Sequence, residues 1–456
     1  MSPAARRPAP RRRPKRRIDA PRRAAYDALR QVTGNDAYAN LVGPELLGQR
    51  HITGRDAAFA TELLNGTCRL QGTYDLIIAA ASGRKLGDLQ ANVLDVLRLG
   101  CHQLLSMRVP THAAVAASVD LAAVAIGERV TGLVNAILRR VGEHSMDEWL
   151  DRLTAGLDEA LARAIRSHHP RWIVDEYARL LPADELDAAL AANNIAPRTC
   201  LAIRPGLSTV AELVDAGAEA HPRVPTAAYW PGNPGDLAAV RDGRAGVQDP
   251  GSQLAALAVV EPDAPEGPWL DLCAGPGGKS ALLAGLAREQ GTWLLASELQ
   301  PHRAALVAQA LRAYPEPHRP QVIAADGTRP AVAPGSFARV LADVPCTGLG
   351  ALRRRPESRW RRTPQDLAAL VPLQRALLRA ALDAAAPGGV VAYVTCSPVA
   401  AETTEVVEHV LAERPEVTRI APDHQLWPHR DGTDAMFRAL LRVPADPAGQ
   451  EPNRRR

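Results

Sequence analysis

Two short segments carry cysteines in settings where a thiol can do chemistry: Asp343-Val344-Pro345-Cys346-Thr347-Gly348 and Val394-Thr395-Cys396-Ser397-Pro398. Each follows an apolar run that reads as a strand and each is flanked by turn residues, so each thiol is expected just beyond a strand end. One cysteine in such a place is ordinarily a small buried hydrophobe. Two call for a chemical reason, and cytosine carbon 5 supplies one, because it is too poor a nucleophile to attack a methyl sulfonium directly. A thiolate that adds at carbon 6 makes carbon 5 enamine-like; a base must then remove the carbon 5 proton so that the thiolate can leave. Asp343 is placed to hydrogen-bond or protonate the ring at nitrogen 3 and its amino group while charge develops. On these grounds alone either thiol can be the one that attacks.

A third segment, Asp271-Leu272-Cys273-Ala274-Gly275-Pro276-Gly277-Gly278-Lys279, follows another strand-like run and opens a helix. Glycines there let a backbone approach a ligand closely, and a helix N-terminus offers free N–H groups to an anion. A dinucleotide fingerprint requires a third glycine where Ser280 stands. A phosphate-binding P-loop is better imitated, by Gly278-Lys279-Ser280 with Val340-Leu341-Ala342-Asp343 as its magnesium strand, but its first glycine is replaced by Cys273. S-adenosylmethionine needs acids for its ribose hydroxyls. Glu298 and Asp326 end the next two strands, in register with Asp271. One acid at a strand end is more often a helix cap than a ligand; three in succession favour the ligand reading.

The elements that must position these groups are legible in the apolar rhythm. Strand candidates Trp269–Ala274, Trp293–Leu299, Gln321–Ala325, Ala338–Val344, Val390–Thr395 and Met436–Val443 alternate with helical stretches. They predict a parallel sheet covered on both faces over 247–445, a Rossmann-like α/β domain whose ligands sit at the carboxyl ends of the strands. Residues 18–150 are helical by pattern, with Val93, Leu94, Leu97, Cys101, Leu104 and Leu105, and again Leu133, Val134, Ile137, Leu138 and Val141, at spacings of three and four. His112 reads as a capping or packing histidine. Residues 151–246 read as linker helices followed by a small α/β lead-in domain, with a strand at Thr199–Ile203. Residues 1–17 hold eight Arg and Lys among prolines and no acid. They are expected to form a disordered basic tail that either tethers RNA or is merely solvated, and 446–456 a second tail.

The 456 residues carry 54 Lys and Arg against 50 Asp and Glu, a net charge of +4 that permits a polyanionic partner without requiring one. Six cysteines are scattered with no C-x-x-C pair, which excludes the usual zinc spacings and a disulfide framework, so no metal is expected. With no apolar run of membrane length and no signal-peptide core, a cytoplasmic location is expected. A transit peptide is the competing reading of the first residues, although Pro3, Pro8, Pro10 and Pro14 would break its helix.

Taken together these motifs resemble the bacterial ribosomal RNA cytosine-5 methyltransferases of the Sun or Fmu family. Arg55-Asp56-Ala57-Ala58-Phe59-Ala60, Val109-Pro110-Thr111-His112-Ala113 and Val134-Asn135-Ala136-Ile137-Leu138-Arg139-Arg140 resemble the NusB-like RNA-binding fold that precedes that family's core. Also similar are Val247-Gln248-Asp249-Pro250-Gly251-Ser252-Gln253 and Pro356-Glu357-Ser358-Arg359-Trp360. The resemblance implies an all-α NusB-like domain followed by a class I S-adenosylmethionine methyltransferase core, acting as a monomer on RNA, 16S ribosomal RNA foremost, with no membrane partner. It implies Cys396 as nucleophile, Cys346 as the residue assisting proton removal and release, and Asp343 as the acid that recognises the base and adjoins the cofactor. It also implies Asp271, Cys273, Ala274 and the loop Gly275, Pro276, Gly277, Gly278, Lys279 around the methionine end of the cofactor, Glu298 at its ribose and Asp326 at its adenine, with Lys279 near the reacting centre. The turn Asp431-Gly432-Thr433-Asp434-Ala435-Met436-Phe437 departs from the family's shorter Asp-Gly-Phe-Phe, and the basic first segment has no counterpart. Arg353, Arg354, Arg355, Arg359, Arg361 and Arg362 around Trp360 are expected to hold phosphates and stack on a base. A tRNA substrate, a P-loop hydrolase and a non-catalytic antitermination-like RNA binder are the alternatives.

Overall fold

A computed structural model describes residues 16–316 and 319–445. The chain forms two compact units, one running to Pro170 and including Arg355–Glu357, the other comprising Arg171–Arg354 and Ser358 onward. The expected tails lie outside the described residues, except that Arg16 is not a tail residue: it pairs with Asp120 and Glu128, each at 3.0 Å.

The first unit's described residues are helical, with no strand. Asp19 starts the helix Ala20–Gly34 by accepting from the Arg22 N–H at 2.9 Å, with Pro21 in the first turn, where its missing N–H is no loss. Gly83, at φ 65°, ends the long helix Gly54–Ser82 in a conformation that favours glycine. Val93, Leu97 and Cys101 are buried on one face of Ala91–Leu105, as their spacing predicts. Leu138 of Thr131–Val141 packs directly over Gly100, where a Cβ would come within 2.6 Å of it. Burying each such aliphatic side chain contributes about 2 kcal/mol. His112 neither packs nor caps; it is exposed in the first turn of Thr111–Ala125. Met146–Thr154 sends Trp149 into the same core, its indole N–H donating to Val141 O at 2.9 Å.

In the second unit β1 (Cys200–Ile203), β2 (Glu219–Ala220), β3 (Ala227–Tyr229) and β4 (Ala245–Val247) form a small antiparallel sheet in the order β2-β3-β1-β4. The main sheet contains β5 (Trp269–Asp271), β6 (Leu294–Glu298), β7 (Gln321–Ala324), β8 (Phe337–Asp343), β9 (Ala385–Thr395), β10 (Thr418–Arg419), β11 (His424–Gln425) and β12 (Phe437–Arg442). Its order is β10-β12-β9-β8-β5-β6-β7, with β11 also on β12. The strands β7, β6, β5, β8 and β9 are mutually parallel. The helices Gly278–Glu289 and Pro301–Leu311 cover one face, and Pro364–Ala384 and Thr404–Glu413 the other, each over its own apolar core. The order reverses between β5 and β8, the place where such sheets open a crevice at their carboxyl ends.

The expectation of a purely parallel sheet is corrected at its far side: β12 runs antiparallel to β9, with Phe437 opposite Thr395. The reason lies in β10 and β11. Both are antiparallel to β12 and therefore carry the chain back to the carboxyl edge before β12 begins. The turn Asp431–Met436 is thereby delivered to the same edge as the cysteines.

Candidate active site

Strand register brings the cysteines together. Asp343 on β8 lies opposite Val394 on β9, and the Val344 N–H donates to Val394 O at 3.0 Å. Parallel neighbours run about 4.8 Å apart, so the turns that follow leave the sheet side by side. Cys346 Sγ and Cys396 Sγ are 3.4 Å apart, each half-buried. The hydrogen bond to Cys396, then burial, hold the Cys346 thiol well above its ordinary value. Behind them Lys279 Nζ donates to Asp343 Oδ2 at 2.8 Å. Burial works against the Lys279 ammonium, but the Asp343 carboxylate outweighs it and raises the group above its usual value; Cys396 adds to the same effect. The glycine loop and the cysteine turns thus converge on one crevice.

Asp271, at the end of β5, is 1% exposed. Its Oδ2 accepts from Ser280 Oγ at 2.6 Å, while the buried Oδ1 has no partner. Burial pushes its carboxyl up to about 7. Cys273 is half-buried, its thiol pushed well above its ordinary value by burial, and the Ala274 N–H donates to Ser297 O at 2.9 Å, which ties the loop to β6. Pro276 and Gly278 are exposed. Gly277 has φ 107°, and a Cβ there would fall 2.7 Å from Ala310 Cβ, so the loop admits only glycine. Glu298 ends β6 almost fully buried. Its Oε2 accepts from the Gly275 N–H at 3.0 Å and its Oε1 from the Gln300 N–H at 3.1 Å, and Arg303 donates to Gly275 O at 2.9 Å. A Cβ at Gly275 would lie 2.1 Å from Glu298 Oε2. Asp326 stands at the end of the next strand, exposed. There its Oδ1 accepts from the Thr328 N–H at 2.9 Å and from Thr328 Oγ1 at 2.8 Å, and that backbone bond first, then the side-chain one, lowers its carboxyl. It is a turn cap as well as an edge residue.

Three contributors were not legible in the sequence as site residues: Ser280 under Asp271, Arg303 beside Glu298, and Asp434. The arginine-rich loop also differs from expectation. Arg359 has no exposed surface and donates to Asn194 Oδ1 at 2.6 Å and Asn193 O at 3.1 Å. Arg353 lies 3.6 Å from Asp434 and 3.7 Å from Asp249, Arg354 Nε donates to buried Asp434 at 2.7 Å, and Arg362 pairs with Asp366 at 3.3 Å. These four arginines are committed to the protein's own acids and carbonyls. Asp249 and Asp434 are the buried acids that match Arg353 and Arg354.

Residues 256–442 match the family model of the 16S rRNA methyltransferase RsmB/F, and residues 19–143 that of the NusB family. A protein of Mycobacterium tuberculosis named only as a methyltransferase is 49% identical over 455 residues, which covers 95% of this chain and 98% of that one. Ribosomal RNA small subunit methyltransferase B of Erwinia tasmaniensis is 30% identical over 409 residues, covering 86% of this chain and 92% of the relative. The chain belongs to the RsmB/F methyltransferase family. The crystal structure of PH0851 shares its fold, with a TM-score of 0.78 at 22% identity over 94% of this chain and all of that one. As an RsmB/F protein with an N-terminal NusB domain it is an S-adenosylmethionine-dependent RNA cytosine-5 methyltransferase. The crevice fits that cofactor: it presents an unpartnered buried carboxylate oxygen on Asp271, a glycine-only cradle and, on the β6 end, a buried acid. Among the described residues no helix is long and apolar enough to cross a membrane.

Proposed function

We propose that this RsmB/F enzyme forms 5-methylcytosine in 16S ribosomal RNA by covalent addition of Cys396 to cytosine carbon 6. The observation that carries the reading is the 3.4 Å approach of two thiols beside the Lys279–Asp343 pair. The two thiols lie close enough to exchange a proton, and the resemblance to the Sun or Fmu family makes Cys396 the sulfur that attacks and Cys346 its partner. Addition forms the Cys396 S–C6 bond and drives electrons onto nitrogen 3, which takes a proton relayed from the Lys279 ammonium through Asp343. S-adenosylmethionine, when bound, supplies the methyl group that carbon 5 takes up. Cys346, acting as a thiolate at this stage, then takes the carbon 5 proton; the C5–H electron pair restores the C5–C6 double bond, nitrogen 3 returns its proton through Asp343 and the Cys396 thiolate departs.

Asp271, Cys273, Ala274 and residues 275–279 would hold the methionine end of the cofactor, Glu298 the ribose and Asp326 the adenine edge. The name of the Erwinia tasmaniensis relative and the NusB domain favour 16S ribosomal RNA over tRNA. The target cytosine must leave any helical stack to reach the thiols, so a loop or an assembly intermediate is the fitting substrate. We read the enzyme as a cytoplasmic monomer. The test is adduct trapping with 16S RNA on denaturing gels. Cys396→Ala should abolish both methylation and adduct, whereas Cys346→Ala should accumulate a stable protein–RNA adduct. The reverse pattern would move the attack to Cys346, and bisulfite mapping of RNA from a deletion strain would decide between ribosomal and transfer RNA.

A further inference from the structure

Glu402 has no exposed surface, yet it lies outside the crevice motifs and carries a carboxylate. It sits in the short turn Ala400–Glu402 six residues after Cys396. Its Oε1 accepts from the Thr347 N–H at 2.8 Å and from Gln374 Nε2 at 3.0 Å, and its Oε2 accepts from Thr347 Oγ1. The same Gln374 amide also donates to Pro345 O at 2.9 Å, so the peptide groups on both sides of Cys346 are tied to one pair of side chains. From there the network reaches the other thiol: Thr347 Oγ1 lies 3.1 Å from Ser397 Oγ, in the residue that follows Cys396. The Tyr393 hydroxyl donates to Glu402 O at 2.8 Å and fixes the turn to β9.

Every donor to this carboxylate is neutral, although burying a charge without a cation is costly and natural proteins seldom keep one without a use. Both oxygens of the carboxylate are engaged, while Gln374 Oε1 is buried without a partner, and a carboxylate bonded in this way holds backbone more rigidly than an apolar contact of the same size. Here the backbone held is that of the two cysteine turns, which are also joined by the Gly350 N–H donating to Cys396 O at 2.8 Å and held to β9 by Thr395 Oγ1 donating to Ser397 O at 3.2 Å. We propose that Glu402 is the positioning residue that sets the register of Cys346 against Cys396. It touches neither substrate nor cofactor; it fixes how far apart the two sulfurs stand. The step from register to rate rests on the two-thiol reaction proposed above.

Two readouts in the full-length protein separate the two claims. The first is the rate at which diamide, taking up two electrons and the two thiol protons, closes a Cys346–Cys396 disulfide in the absence of RNA. The second is single-turnover methylation at saturating RNA. Because a misplacement near 1 Å can cost about 100-fold, Glu402→Ala should slow both by roughly that factor, with RNA and S-adenosylmethionine affinities unchanged. Glu402→Gln should rescue both, since its carbonyl can take the Thr347 N–H and Gln374 bonds and its amide can donate to a Thr347 hydroxyl turned toward Ser397. Thr347→Val, which keeps the backbone bond and cuts only the link to Ser397, should be slowed to an intermediate degree and serves if the alanine variant does not fold. Wild-type closure in the alanine and valine variants, or a folded glutamine variant as slow as alanine, would overturn the proposal. Slowed closure with unaltered methylation would uphold the register and overturn the two-thiol reaction instead.

Discussion

Lys279 Nζ lies 2.8 Å from Asp343 Oδ2, an ion pair that joins the helix after the glycine loop to the end of β8. The pair is largely shielded, the two side chains being 11% and 25% exposed, so water screens it little. It connects the cofactor side of the crevice to the cysteine side. Lys279→Met should therefore lower the single-turnover methylation rate at saturating S-adenosylmethionine by about 100-fold, the effect of removing a charge-assisted hydrogen bond of roughly 2–3 kcal/mol. Rapid-quench measurement of methyl transfer checks this; an unchanged rate would confine Lys279 to a structural part.

Asp271 supplies a pH test with a definite sign. Burial raises its carboxyl to about 7 in the folded protein, so the proton is held on the native state below that pH and the unfolded chain has already lost it above about 4. The native state binds more protons between those limits, and stability should fall as pH rises from about 4 to about 7, then level off. A cofactor whose donors face Oδ1 favours the ionised form. Its affinity should therefore rise by up to about tenfold per pH unit below 7 and flatten above 8. Calorimetric titrations from pH 5.5 to 8.5 should show this in the wild type and not in Asp271→Asn.

Glu298 has two occupations in one carboxylate: it accepts the Gly275 and Gln300 N–H groups and stands where the ribose is expected. Glu298→Ala should raise the S-adenosylmethionine dissociation constant by about 10- to 100-fold, through a lost bond to a charged group and a loosened loop, and leave RNA affinity intact. Isothermal titration with each ligand separately checks the split. Equal losses for both ligands would mean a general collapse of the edge.

Arg354 is held by Asp434, which has no exposed surface. Arg354→Ala leaves Arg353, at 3.6 Å, as the cation on that charge, beside Asp249, whose carboxyl burial and then the charge of Asp434 already raise to about 6. Stability should drop by about 2 kcal/mol, the loss of hydrogen bonds to a charged group, less than for a fully buried pair because Arg354 is 35% exposed. Arg354→Ala with Asp434→Asn should recover part of it. Denaturant melts of the two variants give the comparison; additive losses would show that the two residues are not coupled.

The sequence alone determined the order of the elements and the chemistry available to them. Period-three-and-four spacing at Val93, Leu97 and Cys101 and the strand runs before Asp271, Glu298, Asp343 and Cys396 are local patterns, set by which side of an element must be apolar. The glycines at 275 and 277 are equally local, because a close approach or a positive φ excludes a Cβ wherever the chain goes next. Pairing across the sheet is not local. That β8 lies beside β9 with Asp343 opposite Val394, and so that two thiols fifty residues apart in the chain meet at 3.4 Å, depends on the order in which strands are inserted. The antiparallel entry of β12 depends on β10 and β11, each only two residues long and too short to carry a periodic signal. The arginines around Trp360 looked free because composition cannot show which acids will be buried against them; Asp249 and Asp434 are some 185 residues apart and meet only in the folded crevice. Glu402 belongs to none of the motifs read from the sequence, and only packing against Thr347 and Gln374 removes it from water and turns its carboxylate onto the cysteine turns.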